Sequence, residues 1–77
     1  MTFEQALTAL KNGKKAARTG WNGKGMWLAI VPPCEMRVQG DFEMVVEPWI
    51  GMQTKPGLFI PWVASQTDML SDDWEIL

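Results

Sequence analysis

The chain has 77 residues, which is too short for two separate cores, so residues 1–77 are expected to form a single domain. One cysteine and no histidine exclude an internal disulfide and argue against a structural zinc site. The amphipathic N-terminus lacks the apolar segment of a signal peptide, and no apolar run approaches the ~20 residues of a membrane helix. We therefore expect a soluble, intracellular protein, and a core this small favours a homo-oligomer.

Charge is unevenly distributed along the chain. Residues 1–24 hold five basic side chains and one acidic side chain, whereas residues 68–77 hold four acidic side chains and no basic one. The net charge of −2 disfavours a nucleic-acid polymer as ligand, because such binding depends on neutralising many phosphates. A compact anion with one or two phosphates fits this balance better. Without histidine the chain lacks a ready general base near neutral pH, so we expect a binding protein rather than an enzyme.

The first predicted element is an amphipathic helix over residues 3–11. Thr2 and Gln5 form a capping-box pattern at its start. One buried stripe at helical spacing follows, made of Phe3, Ala6, Leu7 and Leu10. Asn12-Gly13 is a typical helix end.

The rest of the chain predicts short strands separated by turns, over residues 14–19, 26–31, 35–38, 42–47, 49–52, 58–63 and 73–77. Ala17 is expected to face inward, and a turn is expected at residues 39–41. Pro48 suggests that residues 49–52 form a separate piece or an edge strand, and Pro61 suggests an edge or a bulge. A second capping box, Ser65 to Asp68, predicts one helical turn through Leu70. The predicted fold class is α+β: one N-terminal amphipathic helix packed on a small bent antiparallel sheet.

The glycine-rich segment 18–25 is the first candidate site. Its glycines allow a ligand to approach backbone N–H groups, Arg18 and Lys24 favour phosphate, and Trp21 offers a ring on which a base can stack. Its spacing is neither that of a Walker loop nor that of a dinucleotide-binding loop. A basic hairpin turn is the alternative for the segment, and a hydrophobic plug over the sheet is the alternative for Trp21.

Other candidate residues lie further along the chain. Asp68 is either a hydrogen-bond acceptor for a ribose or an exocyclic amine, or only the acid of the second capping box. Asp72 and Asp73 are interpreted as a solvated turn. Among the five tryptophans, Trp27 and Trp74 lie within predicted strands and are expected in the core or an interface. Trp49 and Trp62 each follow a proline at the end of a predicted strand, where a ring can be half exposed. Cys34 is expected to act as a small hydrophobic residue.

Four segments together resemble one phage and prophage family, the second type of Thoeris anti-defence protein. They are Phe3 to Lys14, Arg18 to Gly25 with its WNGKG run, Pro61 to Leu70 with its PWVASQTDML run, and Asp72 to Glu75. Only the middle of the chain, around residues 33–57, is outside the resemblance.

The resemblance implies a non-enzymatic sponge without a cofactor in the cytoplasm of the infected host. Such proteins sequester the glycocyclic ADP-ribose signal made by the TIR enzyme of Thoeris without cleaving it, and some relatives hold cyclic oligonucleotides. It also implies a homo-oligomer, typically a tetramer of paired dimers with ligand between subunits. With the candidates above, the predicted ligand-binding residues are Arg18, Trp21, Asn22, Gly23, Lys24, Gly25, Trp62, Gln66, Thr67 and Asp68. The main alternative is a structural phage protein with an assembly surface of exposed tryptophans; a nucleic-acid-binding β-domain and a nucleotide-cleaving enzyme are weaker alternatives.

Overall fold

Two helices and seven strands make up the part of the chain that the computed structural model describes, residues 1–21, 25–38 and 42–77, with backbone alone for residues 34–38 and 42–46. In chain order they are α1 (Phe3–Lys11), β1 (Ala16–Arg18), β2 (Trp27–Val31), β3 (Cys34–Val38), β4 (Phe42–Val46), β5 (Trp49–Lys55), β6 (Leu58–Pro61), α2 (Gln66–Leu70) and β7 (Trp74–Ile76). The predicted α+β class is confirmed. The turn expected at residues 39–41 lies outside the described residues.

Helix α1 begins and ends where the sequence predicts. The Gln5 amide donates to Thr2 Oγ1 at 3.3 Å, and the Thr2 amide donates to Gln5 Oε1 at 2.9 Å. The side chain of each residue therefore accepts a hydrogen bond from the backbone N–H of the other. Ala6, Ala9 and Leu10 are buried on the face that packs against β1, β2 and β7. The amphipathic stripe thus fixes which side of the helix meets the sheet.

Five strands form one antiparallel sheet in the order β6-β5-β2-β1-β7. The prediction that residues 49–52 form a separate piece or an edge is wrong, because β5 extends to Lys55 and pairs with both β2 and β6. Pro48 does not interrupt this strand because it precedes the first paired residue, where its missing N–H costs no ladder hydrogen bond. Pro61 does end an edge strand, as expected.

The core lies between α1 and one face of the sheet. Leu28 and Ala16 are fully buried there, Leu10 is 1% exposed and Trp74 is 2% exposed. The prediction that Ala17 is the inward residue of its strand is corrected: Ala16 pairs with Leu28 and joins the core cluster, while Ala17 alternates to the opposite face, where it is also buried. The strand itself is shorter than the predicted 14–19.

A group of aromatic side chains lies on the face of the sheet away from α1. The Phe59 ring lies against Gly51, where a side chain would collide with it, and its centroid is 5.9 Å from that of Trp27 and 5.8 Å from that of Trp49. Lys15 Nζ lies 4.2 Å from the centroid of Trp27. Trp27 is therefore half-buried on the face away from α1.

The remaining strands, β3 and β4, form a separate two-stranded antiparallel hairpin. After β6 the chain crosses to α2, whose capping box is confirmed by the Asp68 amide donating to Ser65 Oγ at 3.0 Å. β7 then returns the chain to the sheet beside β1. In the described ranges, no helix is long and apolar enough to cross a membrane.

Candidate functional site

Arg18 lies at the end of β1, directly opposite Trp74 of β7 in the sheet. Its guanidinium donates from Nη1 to Asp68 Oδ1 at 2.8 Å and from Nε to Asp73 Oδ1 at 2.8 Å. All three side chains are less than a third exposed, at 15%, 13% and 28% respectively. We call Arg18, Asp68 and Asp73 the ion-pair cluster. It joins β1, α2 and the residue preceding β7.

The interpretation of Asp73 as part of a solvated turn is not what the structure shows. Besides binding Arg18, its carboxylate accepts from the Gly20 amide at 2.9 Å, and its carbonyl accepts from the Thr19 amide at 3.1 Å. A side chain added at Gly20 would meet the same carboxylate. Asp73 therefore holds the first residues of the glycine-rich segment against β7. Sequence reasoning missed it because this partner is 55 residues from Arg18.

Trp21 is half-buried and packs on two other tryptophans. Its ring centroid lies 5.3 Å from that of Trp74 and 6.5 Å from that of Trp62, both in edge-to-face geometry. Trp62 and Trp74 are 6.2 Å apart, and Phe3 packs against both. Trp21, Trp62 and Trp74 form the tryptophan cluster. Trp74 is buried, whereas Trp21 and Trp62 keep part of their surface exposed.

Asp68 connects the two clusters. Its Oδ1 accepts from Trp21 Nε1 at 3.3 Å as well as from Arg18, its carbonyl accepts from Trp74 Nε1 at 2.9 Å, and its Oδ2 accepts from the Ser65 amide at 3.2 Å. It is thus both the acid of the capping box and the acceptor that orients two indole rings. The structure thus confirms the capping role of Asp68, and its role as an acceptor for a ligand stays a prediction.

The other predicted site residues lie around these clusters. Gln66 and Thr67 are exposed in the first turn of α2, next to Asp68. Gly25 is exposed, has a φ of +77° that suits glycine, and its carbonyl accepts from Gln53 Nε2 at 2.8 Å. Asn22, Gly23 and Lys24 lie outside the described residues. Arg18, Trp21, Trp62 and Asp68 are therefore brought together from distant segments, with Gln66 and Thr67 adjacent.

Both carboxylates of the ion-pair cluster have a lowered pKa. Partial burial acts to raise the pKa of Asp68, but hydrogen bonds from Arg18, Ser65 and Trp21 outweigh it and lower the pKa. The hydrogen bond from Arg18 is the main cause of the lowered pKa of Asp73. The same contacts, led by Asp73, raise the pKa of Arg18. At neutral pH the cluster holds one cation between two anions.

These pKa shifts predict how stability depends on pH. Carboxylates with a lower pKa in the folded than in the unfolded chain stabilise fully above their ordinary pKa of about 4, and that stabilisation is lost as the pH falls through the folded values. We expect the free energy of unfolding in urea to change little between pH 7 and pH 5 and to fall steeply below about pH 4. Arg18→Met should show a smaller fall between pH 5 and pH 3; an equal fall in both proteins would contradict the assignment.

A groove of about 490 Å³ lies elsewhere on the described surface, where α1 ends. Its walls are Leu7, Ile30, Ile50, Trp49 and the prolines at positions 32, 33 and 48, and Lys11 is its charged residue. We call it the α1-end groove. It contains none of the predicted ligand-binding residues, so it is separate from the two clusters. Among the described residues, no group of three or more metal-ligating side chains is found.

Comparison with known proteins matches the whole chain to one family. The family model described as the Thoeris anti-defense 2-like domain matches residues 1–77. A relative, Thoeris anti-defense 2 of Bacillus phage SP01, is 37% identical over 84 aligned positions, which cover 100% of this chain and 94% of the relative. The match therefore extends across both clusters, the hairpin and the α1-end groove.

Proposed function

Because the chain belongs to the Thoeris anti-defense 2-like family, we propose that it counteracts bacterial anti-phage defence by capturing a nucleotide immune signal without cleaving it. The proposed ligand is of the glycocyclic ADP-ribose type, with cyclic oligonucleotides as related candidates. The protein acts inside the infected host as a homo-oligomer, with a tetramer as the expected form, and holds the ligand between subunits.

One observation carries this proposal: Trp21 of the glycine-rich segment meets Trp62 and Asp68 of the segment from Pro61 to Leu70 at a surface that leaves both indole rings part exposed. A base can stack on such a ring, and each base–aromatic stack contributes about 1–3 kcal/mol. Gln66 and Thr67 lie next to them on the exposed side of α2 and supply polar groups for the sugar. The arrangement has the mixed aromatic and polar character of a nucleotide site.

For Arg18 we propose a role other than direct phosphate binding. Its guanidinium is already bound by two carboxylates, so it is not available as a free phosphate ligand. We assign it to positioning: it fixes Asp68, and Asp68 in turn orients Trp21. Lys24 remains the proposed phosphate contact, and a second subunit completes the enclosure that a single small domain cannot provide.

A thermal-shift titration tests ligand capture directly. A ligand present at 100 times its dissociation constant stabilises its receptor by about 2.7 kcal/mol, which corresponds to roughly 10–20 °C in a domain of this size. We expect an upward shift with glycocyclic ADP-ribose or a cyclic dinucleotide, and none with linear AMP at the same concentration. Unchanged melting with every nucleotide would favour the alternative of a structural phage protein with a tryptophan assembly surface.

A further inference from the structure

The glycine-rich segment 18–25 is held near each end by a side chain from elsewhere in the chain. Near its start, the Gly20 amide donates to the Asp73 carboxylate at 2.9 Å. At its end, Gln53 Nε2 donates to the Gly25 carbonyl at 2.8 Å. The first contact belongs to the ion-pair cluster. The second comes from β5, inside the sheet, and belongs to neither cluster.

Strand register explains why Gln53 reaches this carbonyl. Trp27 is the first residue of β2 and pairs with Gln53, so Gln53 lies at the end of the β2–β5 ladder. The pairing of β5 with β6 is irregular between Gln53 and Lys55, and such bulges can redirect a side chain. The Gln53 amide therefore reaches past the ladder to Gly25, which has not yet entered β2.

The two ends of the segment need glycine for different reasons. At Gly20, an added side chain would meet the Asp73 carboxylate. At Gly25 an added Cβ would have no atom within 4 Å, but the φ of +77° is one that other residues rarely adopt. Gly25 therefore serves the direction of the backbone, and its carbonyl is the group that Gln53 holds.

The carbonyl that Gln53 holds lies one residue after Lys24, the proposed phosphate contact. A lysine side chain is a charge on a flexible four-carbon stem, so its contact with a phosphate depends on where its backbone is held. An anchor on the next residue reduces the freedom that is lost when the ligand binds, and this pre-organisation increases affinity.

We infer that Gln53 is a positioning residue for nucleotide capture: its hydrogen bond to Gly25 holds the backbone beside Lys24, which directs the lysine to the phosphate. The inference rests on the proposed function. It predicts that an uncharged side chain controls the salt dependence of affinity, because salt screens the attraction between Lys24 and the phosphate. A purely structural role for Gln53 would change stability and leave the salt dependence of affinity as it is.

Gln53→Met tests the inference, because it removes the donor and keeps an uncharged side chain of similar length. Calorimetric titration with glycocyclic ADP-ribose and with a cyclic dinucleotide should show affinity weakened about 3- to 10-fold at 0.1 M salt, as expected for one lost hydrogen bond. Raising salt to 1 M shortens the Debye length from about 10 Å to about 3 Å. This change should weaken wild-type binding more than binding by Gln53→Met.

Lys24→Met shows whether the effect passes through the lysine. We expect it to reduce the salt dependence as Gln53→Met does. The double variant should bind like Lys24→Met alone, because the anchor has no further effect once the lysine is gone. Two residues that acted independently would instead give additive losses of binding free energy.

Gln5→Met is the matched control, since it makes the same substitution at a glutamine that also bonds to the backbone. Gln5 Oε1 accepts from the Thr2 amide in the capping box of α1. The variant should lower the melting temperature and keep the affinity and salt dependence of the wild-type protein. Should Gln53→Met fail to fold, Gly25→Ala disturbs the same anchor through its φ and is expected to give the same result.

Three results would overturn the inference while leaving the proposed function in place. They are wild-type affinity in Gln53→Met, a weakened affinity with the salt dependence of the wild-type protein, and additive losses in the double variant. A wild-type protein that binds neither nucleotide would contradict the proposed function itself, and the inference with it.

Discussion

Arg18→Met is expected to lower the free energy of unfolding by about 1–2 kcal/mol, because it leaves the partly buried Asp68 without its cation, and solvent screening limits the loss. Asp68 and Asp73 each lie 2.8 Å from the guanidinium. The resulting fall in melting temperature should be on the order of 5–15 °C for a domain of this length. Urea unfolding at pH 7 measures it.

Two variants give this experiment its controls. Lys14→Met removes a cation at an exposed position just before β1 and is expected to change the free energy of unfolding by less than ~0.5 kcal/mol. Arg18→Lys retains the charge but not the forked guanidinium that reaches both carboxylates, so its stability should fall between the two. If Arg18→Met were as stable as Lys14→Met, the ion-pair cluster would have no structural role.

Trp21→Ala is expected to weaken nucleotide capture by roughly five- to 150-fold, which corresponds to the loss of one stack of about 1–3 kcal/mol. It should also destabilise the fold, since the ring packs on Trp62 and Trp74 and donates to Asp68. From the sequence alone, a tryptophan in a glycine-rich turn is expected to contribute little to the fold, but in the structure the Trp21 ring is half-buried. Calorimetric titration well below the melting temperature separates affinity from stability.

Trp27→Ala is the matched control for Trp21→Ala. Trp27 is also half-buried and also packs on an aromatic ring, that of Phe59, but it lies on the face of the sheet away from α1 and the tryptophan cluster. It should lower stability without changing affinity. An equal loss of affinity in both variants would mean that weaker capture follows from loss of the folded state and not from loss of a ligand contact. An unchanged affinity in Trp21→Ala would mean that Trp21 serves packing only.

Local patterns predicted the elements of this fold well. Both capping boxes, the stripe of α1 and the strand over residues 26–31 depend on residues close in sequence, and the structure has them near the expected positions. The central position of β5 was missed because Pro48 was interpreted as an interruption, and a proline just before a strand is indistinguishable in sequence from one inside it.

The residues of the candidate site could be named from the sequence, but the contacts among them could not. Residue type singled out Arg18, Trp21, Trp62 and Asp68, and the structure brings these together. It was not possible to foresee that Arg18 is held by Asp73, because that contact depends on β1 pairing with β7 across the length of the chain. Only the pairing shows that two carboxylates, Asp68 and Asp73, bind the guanidinium of this arginine.

Capture without cleavage is tested most directly by recovering the ligand. The protein is incubated with the product of an activated TIR enzyme, washed free of unbound small molecules and heat-denatured, and the released molecules are identified by mass spectrometry. We expect intact signal in a fixed ratio to protein, and at least fivefold less from Trp21→Ala than from Trp27→Ala. A cleaved product would show an enzyme, and no released nucleotide would contradict the sponge.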